Sequence, residues 1–130
     1  PTKSVWGIDN RTAGFRLAGH GSSIRIECRV PGADVNPYLS FAVLVAAGLY
    51  GIENKLKLEE PYSGNIYQKK VREIPKTLSE AIKIAKTSKL LKNIFEADVL
   101  EHYIHAAEWE QKEYDSSVND WQLRRYFERG

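Results

Sequence analysis

A run of apolar residues from position 38 to position 50 constrains the fold of this chain more than any other feature. The run follows Asp34 and Asn36, either of which could cap a helix, and Pro37, a residue favoured in the first turn of a helix. Its side chains are apolar almost all the way round a helix, and thirteen such residues are too few to span a membrane. The sequence therefore predicts a helix over residues 37–52 that is buried inside a protein.

The segments on either side of this helix differ in character, because the first is rich in glycine and strand-forming residues and the last has helical spacing of apolar residues. The predicted fold class is α+β, with short antiparallel strands followed by the buried helix and a helical second half. All 130 residues form one domain in this interpretation. It divides into a strand-rich region (1–36), the buried helix (37–52), a polar connector (53–76) and a helical region (77–130).

Charge and cysteine content exclude several classes of function. The 19 Lys and Arg residues and 17 Asp and Glu residues give a net charge of +2, which argues against nucleic acid as a partner. The single cysteine excludes an internal disulfide framework and favours a cytoplasmic location. No apolar run is long enough for a membrane span. The chain starts at Pro1 and contains no methionine, so we expect a piece of a longer protein.

The segment 24–30 is the clearest strand candidate and carries the most distinctive chemistry. Side chains alternate along a strand, so one face is apolar and the other bears Arg25, Glu27 and Arg29. Arg11 and Arg16 lie just upstream, and pairing of neighbouring strands would gather all four arginines around the glutamate. Such a cluster suits a polyanionic ligand, with Glu27 available to a divalent cation. A strand whose outer face is merely charged and exposed is the alternative interpretation.

Three ordered motifs make the sequence similar to a known family. They are Trp6-Gly7-Ile8-Asp9-Asn10-Arg11-Thr12-Ala13, Arg25-Ile26-Glu27-Cys28-Arg29-Val30-Pro31 and Pro31-Gly32-Ala33-Asp34-Val35-Asn36-Pro37-Tyr38-Leu39. With the segments at 46–53, 74–81 and 118–121, they resemble the C-terminal part of the glutamine synthetase catalytic domain over essentially the whole chain. The resemblance implies an ATP-dependent ligase that makes γ-glutamyl phosphate from glutamate and transfers the γ-glutamyl group to ammonia or another amine.

The resemblance also implies a role for each charged residue of the motifs. Arg11 would be catalytic, in contact with the transferred phosphoryl group, and Arg29 would bind the carboxylate of glutamate. Arg16 and Arg25, with Arg11, would bind the phosphates of ATP. Glu27 would be a ligand of Mg²⁺ or Mn²⁺ bridging the nucleotide phosphates. Arginine and metal would offset the charge that develops on the phosphoryl oxygens, as in other phosphoryl transfers.

The sequence departs from the ammonia-using members at residues 16–20, where Arg-Leu-Ala-Gly-His replaces the usual Arg-Ile-Pro. This variant resembles the branch of glutamine-synthetase-like proteins that join glutamate to other amines. Family members are several hundred residues long and form large homo-oligomeric rings, so we expect this chain alone to be inactive. Two alternatives stay open, which are a non-catalytic assembly module and an anion-binding domain of the same fold.

Overall fold

A computed structural model describes residues 1–129 of the chain. They form two compact units, Pro1–Lys76 and a second unit that begins at Thr77, and each is described by itself. The first unit holds a small sheet and one long helix, and the second contains only helices among its described residues. The predicted α+β class is confirmed.

A three-stranded sheet in the order β1-β2-β3 forms the first third of the chain. The strands are β1 (Trp6–Ile8), β2 (Phe15–Ala18) and β3 (Arg25–Cys28). Strands β2 and β3 are antiparallel, as predicted, but β1 and β2 are parallel, so the expectation of antiparallel strands is wrong for this pair. The reason is the loop at 9–14, which returns the chain to the start of β1, where the Phe15 N–H donates to the Val5 carbonyl at 3.0 Å.

The core of the first unit consists of Val5, Ala13 and Ile66, with Tyr62 and Val71 packed against it. Ile66 comes from the segment predicted to be a polar connector, and its side chain has no exposed surface. Its position follows from a short 3₁₀ turn over Ile66–Gln68, which places one apolar side chain inward. The connector therefore contributes Ile66 to the core, while most of its other residues are exposed.

Main-chain hydrogen bonds tie this connector to the first residues of the chain. The Tyr62 N–H donates to the Trp6 carbonyl at 2.9 Å, and the Ser4 N–H donates to the Arg72 carbonyl at 2.9 Å. Beyond them, the buried Lys3 ammonium forms an ion pair with Glu73. Lys3 and Glu73 also pair as an isolated antiparallel bridge, so two segments distant in sequence act as one structural element.

The helix α1 (Pro37–Glu53) confirms the predicted helix but not its predicted burial. The Asn36 side chain caps it by accepting from the main-chain N–H groups of Tyr38 and Leu39. No residue of α1 is buried. Within the described residues α1 borders a cleft of about 1250 Å³ instead of packed side chains. Its burial in a longer protein stays a prediction. The apolar lining includes Phe15, Leu17 and Ile26 from the sheet and Leu44, Val45 and Ile52 from α1.

The second unit contains α2 (Leu78–Thr87), α3 (Lys89–Ile94), α4 (Ala97–Ser116) and α5 (Asp120–Tyr126). Thr77, Ser88 and Asn119 cap α2, α3 and α5, and each side chain accepts from a main-chain N–H of the first turn. Helices α2 and α4 contact each other, with Ile82 and Leu100 buried. Among the described residues, none of the helices is both long and apolar enough to cross a membrane.

Candidate functional site

The register of the sheet brings the predicted site residues onto one face. Arg16 on β2 lies directly opposite Glu27 on β3, so their side chains project from the same side. Arg25 precedes Glu27 by two residues, and Arg29 follows it by two, so they share this side. Phe15, Leu17 and Ile26 project from the other side and line the cleft. We call the polar side the arginine face.

Glu27 is the centre of the arginine face. Its Oε2 accepts a hydrogen bond from Arg16 Nη1 at 2.9 Å, and its Oε1 accepts one from Arg25 Nη2 at 2.9 Å. Arg29 Nη1 lies 3.9 Å from Oε2 as a third ion pair. The hydrogen bond from Arg16 is the largest cause that lowers the pKa of Glu27, and Arg25 adds to it against partial desolvation. The carboxylate is therefore charged throughout the neutral range.

Arg16 has a second carboxylate partner that the sequence did not reveal as a site residue. Its Nε donates to Asp9 Oδ1 at 3.1 Å, and its Nη2 donates to the same oxygen. The Arg16 side chain is only 13% exposed. The hydrogen bond to Asp9, followed by that to Glu27, raises the pKa of Arg16. The sequence indicated Asp9 only as a member of the first family motif, because its pairing with Arg16 depends on the parallel contact between β1 and β2.

Arg29 contacts the loop that carries Arg11. Arg29 Nε donates to the Arg11 carbonyl at 3.3 Å. The Arg11 side chain is exposed, and its charge makes a smaller contribution than Arg16 to the lowered pKa of Asp9. The loop that carries Arg11 is fixed by Thr12 and Asn10, since the Thr12 N–H and hydroxyl both donate to Asn10 Oδ1. The structure thus brings Arg16, Arg25, Glu27 and Arg29 together and places Arg11 beside them.

The carboxylates of this face do not form a complete metal site. The described residues contain no group of three or more His, Cys, Asp and Glu side chains that could hold an ion. Both oxygens of Glu27 accept from guanidinium groups, and Asp9 is bonded to Arg16. Glu27 alone could offer one oxygen ligand to a divalent cation, whereas four guanidinium groups could bind phosphate or carboxylate oxygens.

The loop after β2 presents His20 near this face. Gly19 has a φ of +90°, and an added Cβ there would overlap the main-chain carbonyl of Ser23. The Ser23 hydroxyl donates to the His20 carbonyl at 2.8 Å and accepts from the His20 N–H at 3.0 Å. The turn is therefore defined by local hydrogen bonds, although its residues are exposed.

The family described as "Glutamine synthetase, catalytic domain" matches residues 1–126. Gamma-glutamylethanolamide synthetase GlnA4 of Streptomyces coelicolor is 50% identical over 129 residues, which are 99% of this chain and 28% of the relative. Glutamate–isopropylamine ligase of a Pseudomonas species is 44% identical, over 96% of this chain and 28% of the relative. A glutamine synthetase of Methanosarcina mazei is 38% identical, over 97% of this chain and 30% of the relative.

Comparison with solved structures also finds a similar protein. The GmaS/ADP complex in conformation 1 superposes with a TM-score of 0.84 at 26% identity, covering 95% of this chain and 29% of that structure. The chain spans less than a third of the length of each of the three relatives. Since the family match extends over residues 1–126 and the solved relative has the same fold, the chain belongs to the glutamine synthetase family and is part of its catalytic domain.

Proposed function

We propose that this chain is part of an ATP-dependent ligase that joins the γ-carboxylate of glutamate to an amine. The observation that carries the proposal is the arginine face, in which Arg16, Arg25 and Arg29 surround Glu27. Arginines gathered this closely repel one another unless anions lie among them. Family membership supports phosphate and carboxylate as those anions.

The proposed reaction has two steps. An oxygen of the glutamate γ-carboxylate attacks the γ-phosphorus of ATP, which gives γ-glutamyl phosphate and ADP. The amine then attacks the acyl carbon, an amide C–N bond forms, the amine loses a proton, and phosphate leaves with the carboxylate oxygen. In this proposal Arg11 contacts the transferred phosphoryl group, Arg16 and Arg25 bind nucleotide phosphates, and Arg29 binds the glutamate carboxylate. Their fixed positive charge stabilises the phosphoryl oxygens in the transition state.

Glu27 is proposed as a single ligand of Mg²⁺ or Mn²⁺, and a bound divalent cation would neutralise phosphate charge. Because the lowered pKa of Glu27 keeps its carboxylate charged at neutral pH, the residue offers an oxygen ligand without first losing a proton. Without an anionic ligand, the same carboxylate balances part of the arginine charge. Glu27 therefore balances arginine charge when the face is empty and offers a metal ligand when the phosphates are bound.

The proposed acceptor is a small organic amine rather than ammonia. The departure at residues 16–20 supports this choice. Two relatives with 50% and 44% identity also support it, since they are named as a gamma-glutamylethanolamide synthetase and a glutamate–isopropylamine ligase. The cytoplasmic location and the homo-oligomeric ring remain predictions, and light scattering on the purified protein tests the ring.

The test uses the longest natural protein that contains this sequence. Phosphate release and the amide product are measured with Mg-ATP, glutamate and a panel of ammonia, ethanolamine, isopropylamine and a polyamine. We expect phosphate release with one preferred organic amine and its amide as product. Glu27→Gln should abolish turnover, whereas Arg124→Gln, a control on α5, should not. The absence of phosphate release and of amide product with every amine would contradict the ligase proposal and favour the assembly or anion-binding alternatives. Turnover by the 130 residues alone would contradict their predicted inactivity.

A further inference from the structure

We propose that Asp9 is a positioning residue that fixes the guanidinium of Arg16 for the phosphates of the nucleotide. The inference rests on the proposed function, because it takes Arg16 as a phosphate-binding group. The two carboxylates that contact Arg16 differ in how many arginines they bind. Glu27 is shared with Arg25 and Arg29, whereas Asp9 accepts side-chain hydrogen bonds from Arg16 alone within the described residues.

The directions of the hydrogen bonds define the orientation of the guanidinium. Arg16 carries five N–H donors. Nε and one N–H of Nη2 point to Asp9 Oδ1, and one N–H of Nη1 points to Glu27 Oε2. Two N–H groups remain, one on each Nη atom. Asp9 thus binds the edge of the guanidinium formed by Nε and Nη2. One N–H on each of the two Nη atoms stays available to the oxygens of an anion.

The two partners of this contact differ in exposure. Arg16 is 13% exposed, so water does little to orient or screen its charge, while Asp9 is 74% exposed and approaches from the solvent side. A phosphate that draws Arg25 or Arg29 toward itself disturbs the shared Glu27 contacts. The Asp9 contact is independent of those arginines, and it maintains the orientation of Arg16 when the ligand enters.

The backbone conformation of Asp9 allows its role in positioning Arg16 to be distinguished from a role in the turn alone. Its φ is +47°, in the left-handed region that Asn, Asp and Gly tolerate best. A residue needed only for the turn would therefore be replaced by Asn without loss. A residue needed for its carboxylate would lose function on the same change, because Asn keeps the turn and the size but not the charge.

The experiment compares wild type, Asp9→Asn and the control Asp115→Asn in the longest natural protein that contains the chain. Calorimetric titration with ATP in excess Mg²⁺ gives Kd, steady-state assays give kcat and each KM, and thermal unfolding gives Tm. We expect Asp9→Asn to raise Kd and KM for ATP about tenfold, the usual scale for losing one charge-assisted contact. The KM for glutamate, the Tm and all values of Asp115→Asn should stay at wild-type levels.

A double-mutant cycle with Arg16→Lys completes the test. Because Asp9 acts through Arg16, Asp9→Asn should have no further effect on the Kd for ATP once Arg16 is lysine. Additive losses, an unchanged Kd in Asp9→Asn, or a fall in Tm that accounts for the loss would each overturn the inference and leave the ligase proposal standing. A wild-type protein that neither binds ATP nor makes an amide would overturn both.

Discussion

The clearest consequence of this fold for stability is the expected effect of Ile66→Ala. Ile66 has no exposed surface, and it contacts the small core residues Val5 and Ala13. Removing buried methyl and methylene groups from such a site costs about 2–5 kcal/mol in the free energy of unfolding. Tyr62 and Val71 are only partly buried and can relax toward the cavity, which places the expected loss at about 2–4 kcal/mol. Ile66→Val should cost about 1 kcal/mol.

This loss should reach the candidate site as well as the core. The Ile66 main-chain N–H donates to the Thr12 hydroxyl at 3.0 Å, and that hydroxyl donates to Asn10 Oδ1 at 2.7 Å. The two contacts fix the loop that carries Arg11. A core that repacks around a smaller side chain therefore shifts the loop. In the longest natural protein that contains this chain, we expect Ile66→Ala to weaken ATP binding as well as to lower stability.

Urea unfolding followed by tryptophan fluorescence measures the stability effect. The experiment uses the 130-residue chain, which contains three tryptophans. Trp6 lies in the first unit, so replacing the other two by Trp109→Phe and Trp121→Phe makes the fluorescence report that unit alone. Ile24→Ala is the matched control, since Ile24 is 60% exposed and its truncation should change stability by less than about 0.5 kcal/mol. Equal losses for Ile66→Ala and Ile24→Ala would refute the assignment of the core.

Two further predictions concern pH and the turn after β2. The pKa of Glu73 is lowered from 4.5 to about 2 by hydrogen bonds from Lys3 and then Lys76. Its stabilising contribution is therefore complete above pH 4.5 and disappears as the pH falls toward 2, so wild type and Glu73→Gln should converge in unfolding free energy over that range. A difference that does not shrink as the pH falls from 4.5 to 2 would contradict this. Gly19→Ala should destabilise by about 1–3 kcal/mol, because a Cβ would overlap Ser23 at a positive φ, and an unchanged urea midpoint would contradict the turn geometry.

Local patterns predicted the elements and most of the candidate site. The alternation of Arg25, Glu27 and Arg29 on one strand depends only on the two-residue period of a strand, and the structure places these residues on one face. The pairing of Arg16 with Glu27 followed from the expectation that neighbouring strands pair. The helix from Pro37 followed from its cap and its apolar length.

Local sequence patterns could not predict the contacts between segments that are distant in the sequence. The parallel pairing of β1 and β2 depends on how the loop 9–14 folds back, and it alone brings Asp9 to Arg16. Ile66 is tied by one hydrogen bond from its main-chain N–H to the hydroxyl of Thr12, more than fifty positions away, although its own segment is polar. The composition of α1 predicts a need for burial, but it does not specify which segment would cover the helix.

The exposed apolar surface of α1 has a direct consequence for the isolated chain. Tyr38, Phe41, Val45, Leu49 and Ile52 follow helical spacing and are all exposed. Exposed apolar patches of this kind drive association in water. We expect the 130 residues alone to self-associate with rising concentration, and Phe41→Asp with Val45→Asp to suppress it in sedimentation experiments. A chain that stays monomeric without these changes would contradict this expectation.

The most direct test of the proposed chemistry follows an oxygen atom from glutamate to phosphate. The longest natural protein containing this chain is supplied with Mg-ATP, its preferred amine and glutamate labelled with ¹⁸O in the γ-carboxylate. If γ-glutamyl phosphate forms, each turnover transfers one labelled oxygen to the released phosphate, which mass spectrometry detects. We expect one ¹⁸O per phosphate. Amide formation with unlabelled phosphate would contradict the proposed intermediate.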